Sequence, residues 1–331
     1  MFDQLFIPNP DAEAPTPIRP RKGIVIGVGQ VGIACVYSLL IQDCFDELIL
    51  QDINQDRVTG EVMDLAHGMP FISPTDLKTG TIADVGQDAD IVIITAGAAQ
   101  KSGESRLNLV ERNVSLFKGL LTDVVKYCPN AILLIVSNPV DVMTYVTLKI
   151  SGFPSSRVIG SGTVLDTARF RSLLAQKMDI DARSVHAYII GEHGDSEVPV
   201  WSTAYIGGAK LVKGDWANLS ASEQNELTGI FNQVKNAAYE IIQRKGYTSY
   251  AIGLAVTDIV KAIVRSQERV LTVSSLINGL YGIRDVCLSL PTVVNDRGGL
   301  KKVNLPLSET EEKHLKQSAQ VLRDVFNKLN L

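Results

Sequence analysis

Residues Lys22 to Gly32 read KGIVIGVGQVG. The stretch begins with an apolar run of strand length. The residues that follow, GQVGIACVYSLLIQDC, carry their apolar side chains at helical spacing. Between the two lie Gly27, Gly29 and Gly32, in the pattern G-x-G-x-x-G. Glycine suits a tight strand-to-helix turn, a close backbone approach to a pyrophosphate, and close helix–strand packing. Glycines also cap ordinary turns, so the flanks decide. A second apolar run, ELILQD, ends on Asp52, 20 residues beyond Gly32. A carboxylate there can hold the hydroxyls of an adenosine ribose. Strand, glycines, helix, strand and acid together favour a dinucleotide site over a plain turn. Asp52 would repel a 2′-phosphate, and the next residue is Ile53 rather than arginine, so NAD is expected over NADP. Arg57 is the nearby cation that would serve NADP instead.

Outward from this stretch the alternation continues. DADIVIITAG and AILLIVSNPV read as strands; RVTGEVMDLAHGM, LNLVERNVSLFKGLLTDVVKYC and DVMTYVTLKIS read as helices. Apolar positions at Leu109, Leu116, Leu120 and Val124 are expected to face the core from the long helix. Continuous Val/Ile/Leu strands separated by helices indicate a parallel sheet covered on both faces. Right-handed crossovers make it doubly wound, a Rossmann arrangement in the α/β class. After about Ser161 the pattern becomes mixed α+β. Antiparallel strands are expected in SVHAYIIGEHGDSEVPVW and in the segment from Glu268 to Leu305, with turns at Asn278-Gly279 and Gly298-Gly299. Two further helices open with the capping-box spacings Ser220/Glu223 and Ser308/Glu311. The expected organisation is an extended, proline-rich arm over 1–20, a dinucleotide-binding domain over 21–161, and a substrate and catalytic domain over 162–331.

Bulk properties narrow the function classes. Of 331 residues 45% are hydrophobic and 21% charged, and the formal net charge is -4. That leaves no basic footprint for nucleic acid or an anionic membrane. No apolar run reaches the length of a membrane span. Cys35, Cys44, Cys128 and Cys287 form no C-x-x-C pair and read as reduced core thiols of a cytoplasmic protein. With His67, His186, His193 and His314 they show no ligand spacing, so no metal is expected.

Three short segments carry chemistry. IIGEHGDSEVP places His193 just past an apolar strand, and histidine is the side chain best suited to exchange a proton near neutrality. A lone surface histidine would be the bland alternative. TVLDTARFR sets Asp166 and Arg169 three apart, on one helix face. An acid can orient a histidine and an arginine can fork a carboxylate, although a simple intrahelical ion pair has the same spacing. IVSNPVD puts Asn138 at the carboxyl edge of a parallel strand, where ligands of this fold bind, and Pro139 can fix it through a cis bond.

With these segments, AGAAQKSGESR and KGYTSYAIG taken in order, the chain resembles the lactate/malate dehydrogenase family, and its lactate branch more closely. The resemblance covers nearly everything after residue 20. It implies that His193 is the proton donor and acceptor and that Asp166 holds its ring. It implies further that Arg169 binds the substrate carboxylate and that Arg106 polarises the keto group as the loop AGAAQKSGESR closes as a lid. Asn138 adds a hydrogen bond, Thr248 lines the pocket, Ile252 packs on the nicotinamide, and Gln100 meets the substrate side chain. The implied reaction interconverts pyruvate with NADH and L-lactate with NAD, the last step of a lactate fermentation of glycolytic pyruvate. Malate-specific members carry arginine at the position of Gln100. Burying oxaloacetate's second carboxylate without a cation costs on the order of several kcal/mol. Lys101, next in the chain, is the cation that would serve that malate alternative. A non-catalytic NAD-binding protein is the alternative from another class. The arm and the resemblance imply a homotetramer. Arg171 and His186 match the pair that binds fructose 1,6-bisphosphate in regulated bacterial relatives; an anion site stabilising subunit contacts is the equal reading.

Overall fold

The computed structural model describes residues 19–98, 106–212 and 216–329. Gln100, Lys101 and residues 1–18 of the expected arm lie outside them.

Six parallel strands run side by side: β3 (Asp76–Thr79), β2 (Glu47–Gln51), β1 (Lys22–Ile26), β4 (Ile91–Ile94), β5 (Ile132–Ile135) and β6 (Val158–Gly160). This is the order of a dinucleotide-binding sheet, with the strand direction of growth reversing between β1 and β4. Alternate residues of each central strand feed two separate cores. Ile24, Val92 and Leu133 point to one, and Val25, Ile93 and Leu134 to the other. Burial on both faces is why these strands read as unbroken apolar runs.

Two of the antiparallel strands expected in the second domain extend this same sheet. β11 (Ser274–Asn278) pairs with β6 through Ser274 and Gly160, and β12 (Arg284–Ser289) pairs with β11. The sheet therefore crosses the boundary expected at 161/162. The other antiparallel strands form small sheets of their own. One holds β7 (Val185–Ile190), β8 (Val198–Ile206) and β9 (Ala209–Lys210); the other holds β10 (Arg269–Leu271), β13 (Thr292–Asn295) and β14 (Gly298–Lys302). The Asn278-Gly279 turn is longer than a two-residue hairpin, because a short 3-10 turn at Leu280–Gly282 follows. The hairpin at Gly298-Gly299 turns earlier, at Asp296 and Arg297, and Gly298 already begins β14.

The helices α1 (Gln30–Ile41), α2 (Gln55–His67), α3 (Ile82–Val85), α4 (Arg106–Tyr127) and α5 (Val140–Ser151) link the parallel strands. On α4 the buried stripe is Val110, Val114, Phe117, Leu121 and Val124; Leu116 is exposed and Leu109 and Leu120 lie at the edge. The expected stripe was rotated by one residue except at Val124. In the second half, α6 (Val164–Met178) and α7 (Ala221–Lys245) pack with β7 and β8 around Phe170, Ile189, Trp201 and Val234. α8 (Tyr250–Val264) lies on α1, so close that a side-chain carbon on Gly253 would stand 2.5 Å from the Ala34 carbonyl. α9 (Glu309–Lys328) closes the chain. Both capping boxes form, with Ser220 N donating to Glu223 at 2.8 Å and Ser308 N to Glu311 at 2.8 Å. All four cysteines are free and buried. Among the described residues no helix is long and apolar enough to cross a membrane.

Candidate active site

The nucleotide end is built where β1 turns into α1. Gly27 has a φ of 96°, in the left-handed region, and a side chain there would collide with the backbone of Ala96. A side-chain carbon on Gly32 would stand 1.9 Å from the Gly27 carbonyl, so this glycine is required for packing. Gly29 differs. It is the N-cap of α1, and a side-chain carbon there would meet nothing within 4 Å. The space in front of it is open, no side chain caps the helix, and its first turn carries no acid. Free N–H groups at a helix N-terminus, with room before them, suit a pyrophosphate. Asp52 sits at the end of β2 and accepts from Val28 N at 2.8 Å and Asn54 N at 3.0 Å. Those bonds hold the carboxylate beside the glycine turn. The residues present fit a dinucleotide.

The chemical end lies where β7 and α6 meet the edge of the large sheet. Asp166 stands in the first turn of α6, where the helix dipole favours an anion, and is 3% exposed. One of its oxygens pairs with His193 Nδ1 at 2.6 Å; the other accepts from Arg169 Nη1 at 2.8 Å. The sequence spacing therefore hid a three-membered chain rather than a simple ion pair. Burial alone would lower the His193 pKa, but the Asp166 charge and hydrogen bond outweigh it and push the imidazole up to about 9. Asp166 moves down: burial opposes its charge, but the His193 and Arg169 cations prevail. With Nδ1–H directed at Asp166, Nε2 is left to face a reactant.

A residue not assigned from sequence fixes the histidine backbone. Asp141, in the first turn of α5, is 1% exposed; it accepts from His193 N at 2.7 Å and from Ser274 Oγ at 2.6 Å. Burial raises its pKa to about 6 against those two bonds. It thus ties β11, α5 and the histidine loop together. Asn138 precedes it across a cis Asn138–Pro139 bond. Its side chain is exposed and its carbonyl accepts from Asn113 Nδ2 at 3.1 Å. Glu197 is the other unassigned acid. It is 7% exposed, and a carboxylate oxygen lies within 4.8 Å of both Asp166 and His193. Such a trio could crowd a cation, yet Arg169 already occupies Asp166 and the histidine favours its charged form. Two positive groups make this an acid–base cluster rather than a metal site.

Of the other expected residues, Arg106 opens α4, and its side chain falls outside what is described. Thr248 is half-buried in the segment before α8, and Ile252 half-buried on α8, packed against the core beneath β1. Arg171 donates to the Ala187 carbonyl at 2.9 Å and stacks over the Tyr188 ring; His186, the neighbour of Ala187, is exposed.

A glycine turn that fits a dinucleotide on a doubly wound sheet, in a chain with a histidine held by a buried acid–arginine pair, is the construction of a nucleotide-dependent oxidoreductase. The chain belongs to the lactate/malate dehydrogenase family. Residues 21–160 match its NAD binding domain and residues 163–330 its alpha/beta C-terminal domain. An L-lactate dehydrogenase of Gloeobacter violaceus is 55% identical over 99% of this chain and 99% of its own length. One from Synechococcus sp. is 55% identical over 93% of this chain and 99% of its own. Among solved structures, the minor L-lactate dehydrogenase from Enterococcus mundtii in a ligand-bound form superposes with a TM-score of 0.88 at 40% identity, covering 93% of this chain and 98% of that one.

Proposed function

We propose that the chain is an NAD-dependent L-lactate dehydrogenase that interconverts pyruvate and L-lactate. The observation that carries this reading is the chain Arg169–Asp166–His193, closed by bonds of 2.8 and 2.6 Å. When bound, the nicotinamide supplies a hydride to the carbonyl carbon. His193, kept protonated by Asp166, gives its Nε2 proton to the carbonyl oxygen. In the reverse direction the same nitrogen takes the proton from the hydroxyl. Arg169 keeps further N–H donors for the substrate carboxylate after its bond to Asp166. Arg106 stabilises negative charge gathering on the oxygen. Asn138 and Thr248 complete the pocket, and Ile252 backs the nicotinamide. A cytoplasmic homotetramer is part of the same proposal. So is an anion site at Arg171 and His186 that takes fructose 1,6-bisphosphate or steadies subunit contacts.

Gln100 decides the substrate. Oxidation of NADH followed by absorbance is expected to be faster with pyruvate than with oxaloacetate. Gln100→Arg should reverse that preference by roughly a thousandfold in kcat/KM, because each 1.4 kcal/mol or so is tenfold and a buried unpaired carboxylate costs several. A wild type that prefers oxaloacetate is a malate enzyme; one that oxidises NADH with neither is a non-catalytic binder.

Asp52 decides the cofactor. NADH is expected to be preferred over NADPH, and Asp52→Ser should narrow the ratio of their kcat/KM values. Equal values in the wild type overturn this part. Because Asp52 also accepts from Val28 N, the variant should lose some thermal stability as well.

A further inference from the structure

Glu197 has no task in the scheme above, yet it occupies an expensive position. It follows the histidine loop and immediately precedes β8, with its carboxylate shut away from solvent. Its Oε1 is buried and makes no hydrogen bond among the described residues. A carboxylate oxygen of Glu197 lies within 4.8 Å of Asp166 and of His193. A charged carboxylate with a dry, unbonded oxygen beside a second buried carboxylate is strongly disfavoured. At neutral pH the neutral acid is therefore the form this site holds. Burial, followed by the Asp166 charge, pushes Glu197 up to about 8.

The groups facing it come from several elements. Asp166 and Arg169 face it from α6, His193 from its own loop, and Lys235 from α7. The cavity that Glu197 helps to line is also lined by Asp195, by Lys210 on β9, and by Glu311 and His314 on α9. Arg169 is already bonded to Asp166, so the nearest mobile proton in the cluster besides that of His193 is the one on Glu197.

We propose that Glu197 is a positioning residue for the proton transfer: a dry carboxyl within 4.8 Å of His193 that holds its proton at neutral pH and, once charged, strengthens the hold on the His193 imidazolium proton. When the Glu197 carboxyl ionises as pH rises, its proton leaves for solvent. The negative charge left behind, a few ångströms from His193, strengthens the hold on the imidazolium proton. The substrate is never touched by Glu197. The inference rests on the pyruvate reading, because it concerns the proton that His193 gives to the carbonyl oxygen.

The test compares full-length wild type with Glu197→Gln, which has the same shape and cannot ionise. Two quantities are followed from neutral to strongly alkaline pH: kcat/KM for pyruvate, and binding of oxamate, an unreactive pyruvate analogue, to the enzyme–NADH complex. In the variant the midpoint of alkaline loss should fall by about one pH unit, so that oxamate binds about tenfold more weakly on the alkaline side. A purely structural role would lower stability without moving the midpoint, and an unmoved midpoint overturns the proposal. Wild type that fails with pyruvate at every pH overturns the pyruvate reading itself; active wild type with an unmoved midpoint overturns only the part played by Glu197. Infrared spectra of the wild type supply a measurement that does not depend on the variant folding. A carbonyl band of a protonated carboxylic acid should be present at neutral pH and disappear near pH 8. Absence of that band at neutral pH overturns the proposal.

Discussion

Arg169→Lys is expected to weaken oxamate binding to the enzyme–NADH complex, and kcat/KM for pyruvate, on the order of a hundredfold to ten-thousandfold. The magnitude follows from two charge-assisted hydrogen bonds at about 1.5–3 kcal/mol each, with each 1.4 kcal/mol worth about tenfold. Lysine keeps the charge but loses the planar fork that matches a carboxylate. The site makes that loss unusually direct. The Arg169 side chain is only 15% exposed and spends one nitrogen on Asp166, so the guanidinium is held in place before the substrate arrives. An ammonium on a flexible stem can satisfy Asp166 or the substrate, but not both in that geometry. Arg106→Gln should behave differently, lowering kcat chiefly, because in the proposed mechanism its charge acts as the oxygen becomes negative. The measurement is oxamate affinity by titration of the NADH complex. If Arg169→Lys binds oxamate within tenfold of wild type and only melts earlier, Arg169 is a structural partner of Asp166 and the carboxylate is held elsewhere.

The nucleotide half was legible because its chemistry is local. Gly27, Gly29, Gly32 and Asp52 lie within one strand–helix–strand unit, and their spacing alone sets their places. β3 was not read as a strand, since DLKT is polar and half-exposed at the edge of the sheet. β6 was missed because it has three residues, too few for a periodic signal. The rotation of the α4 stripe has a similar cause: leucines on both sides of that helix give two plausible apolar faces, and only packing against the sheet selects Phe117 over Leu116. The His193–Asp166–Arg169 group was visible in outline, as residue types suited to the reaction. What spacing could not give was burial. Asp141 and Glu197 stand inside SNPVD and GEHGDSEVPVW, but as sequence they are two acids among 36 acidic residues. Only the crossing of α5, β11 and the histidine loop brings Asp141 under the His193 backbone, and only the fold dries out Glu197.

Asp166→Asn should be the most damaging of the isosteric changes to the proton machinery. The amide oxygen can still accept from His193 Nδ1, so the ring keeps its orientation when the amide is turned that way. The charge is lost, however, and with it the largest influence that raises the imidazole. Burial then lowers the His193 pKa unopposed by its nearest anion, while Arg169 loses its carboxylate partner. In the proposed mechanism pyruvate reduction needs the imidazolium, so kcat/KM at neutral pH should fall roughly a hundredfold to ten-thousandfold, the range for losing a positioned general acid. The pH profiles separate this cause from mere disruption. In the wild type the folded-state pKa of about 9 lies above the ordinary 6.5. Charge on His193 therefore stabilises the folded protein fully below pH 6.5, and that contribution disappears as pH rises through 9. Asp166→Asn should remove this window of pH-dependent stability. It should also move the alkaline loss of oxamate binding towards acid, so that some activity returns as pH is lowered. Melting temperature and oxamate affinity across the same pH range read both effects. A variant that is slow yet keeps the wild-type alkaline midpoint would mean that some group other than Asp166 holds the proton on His193.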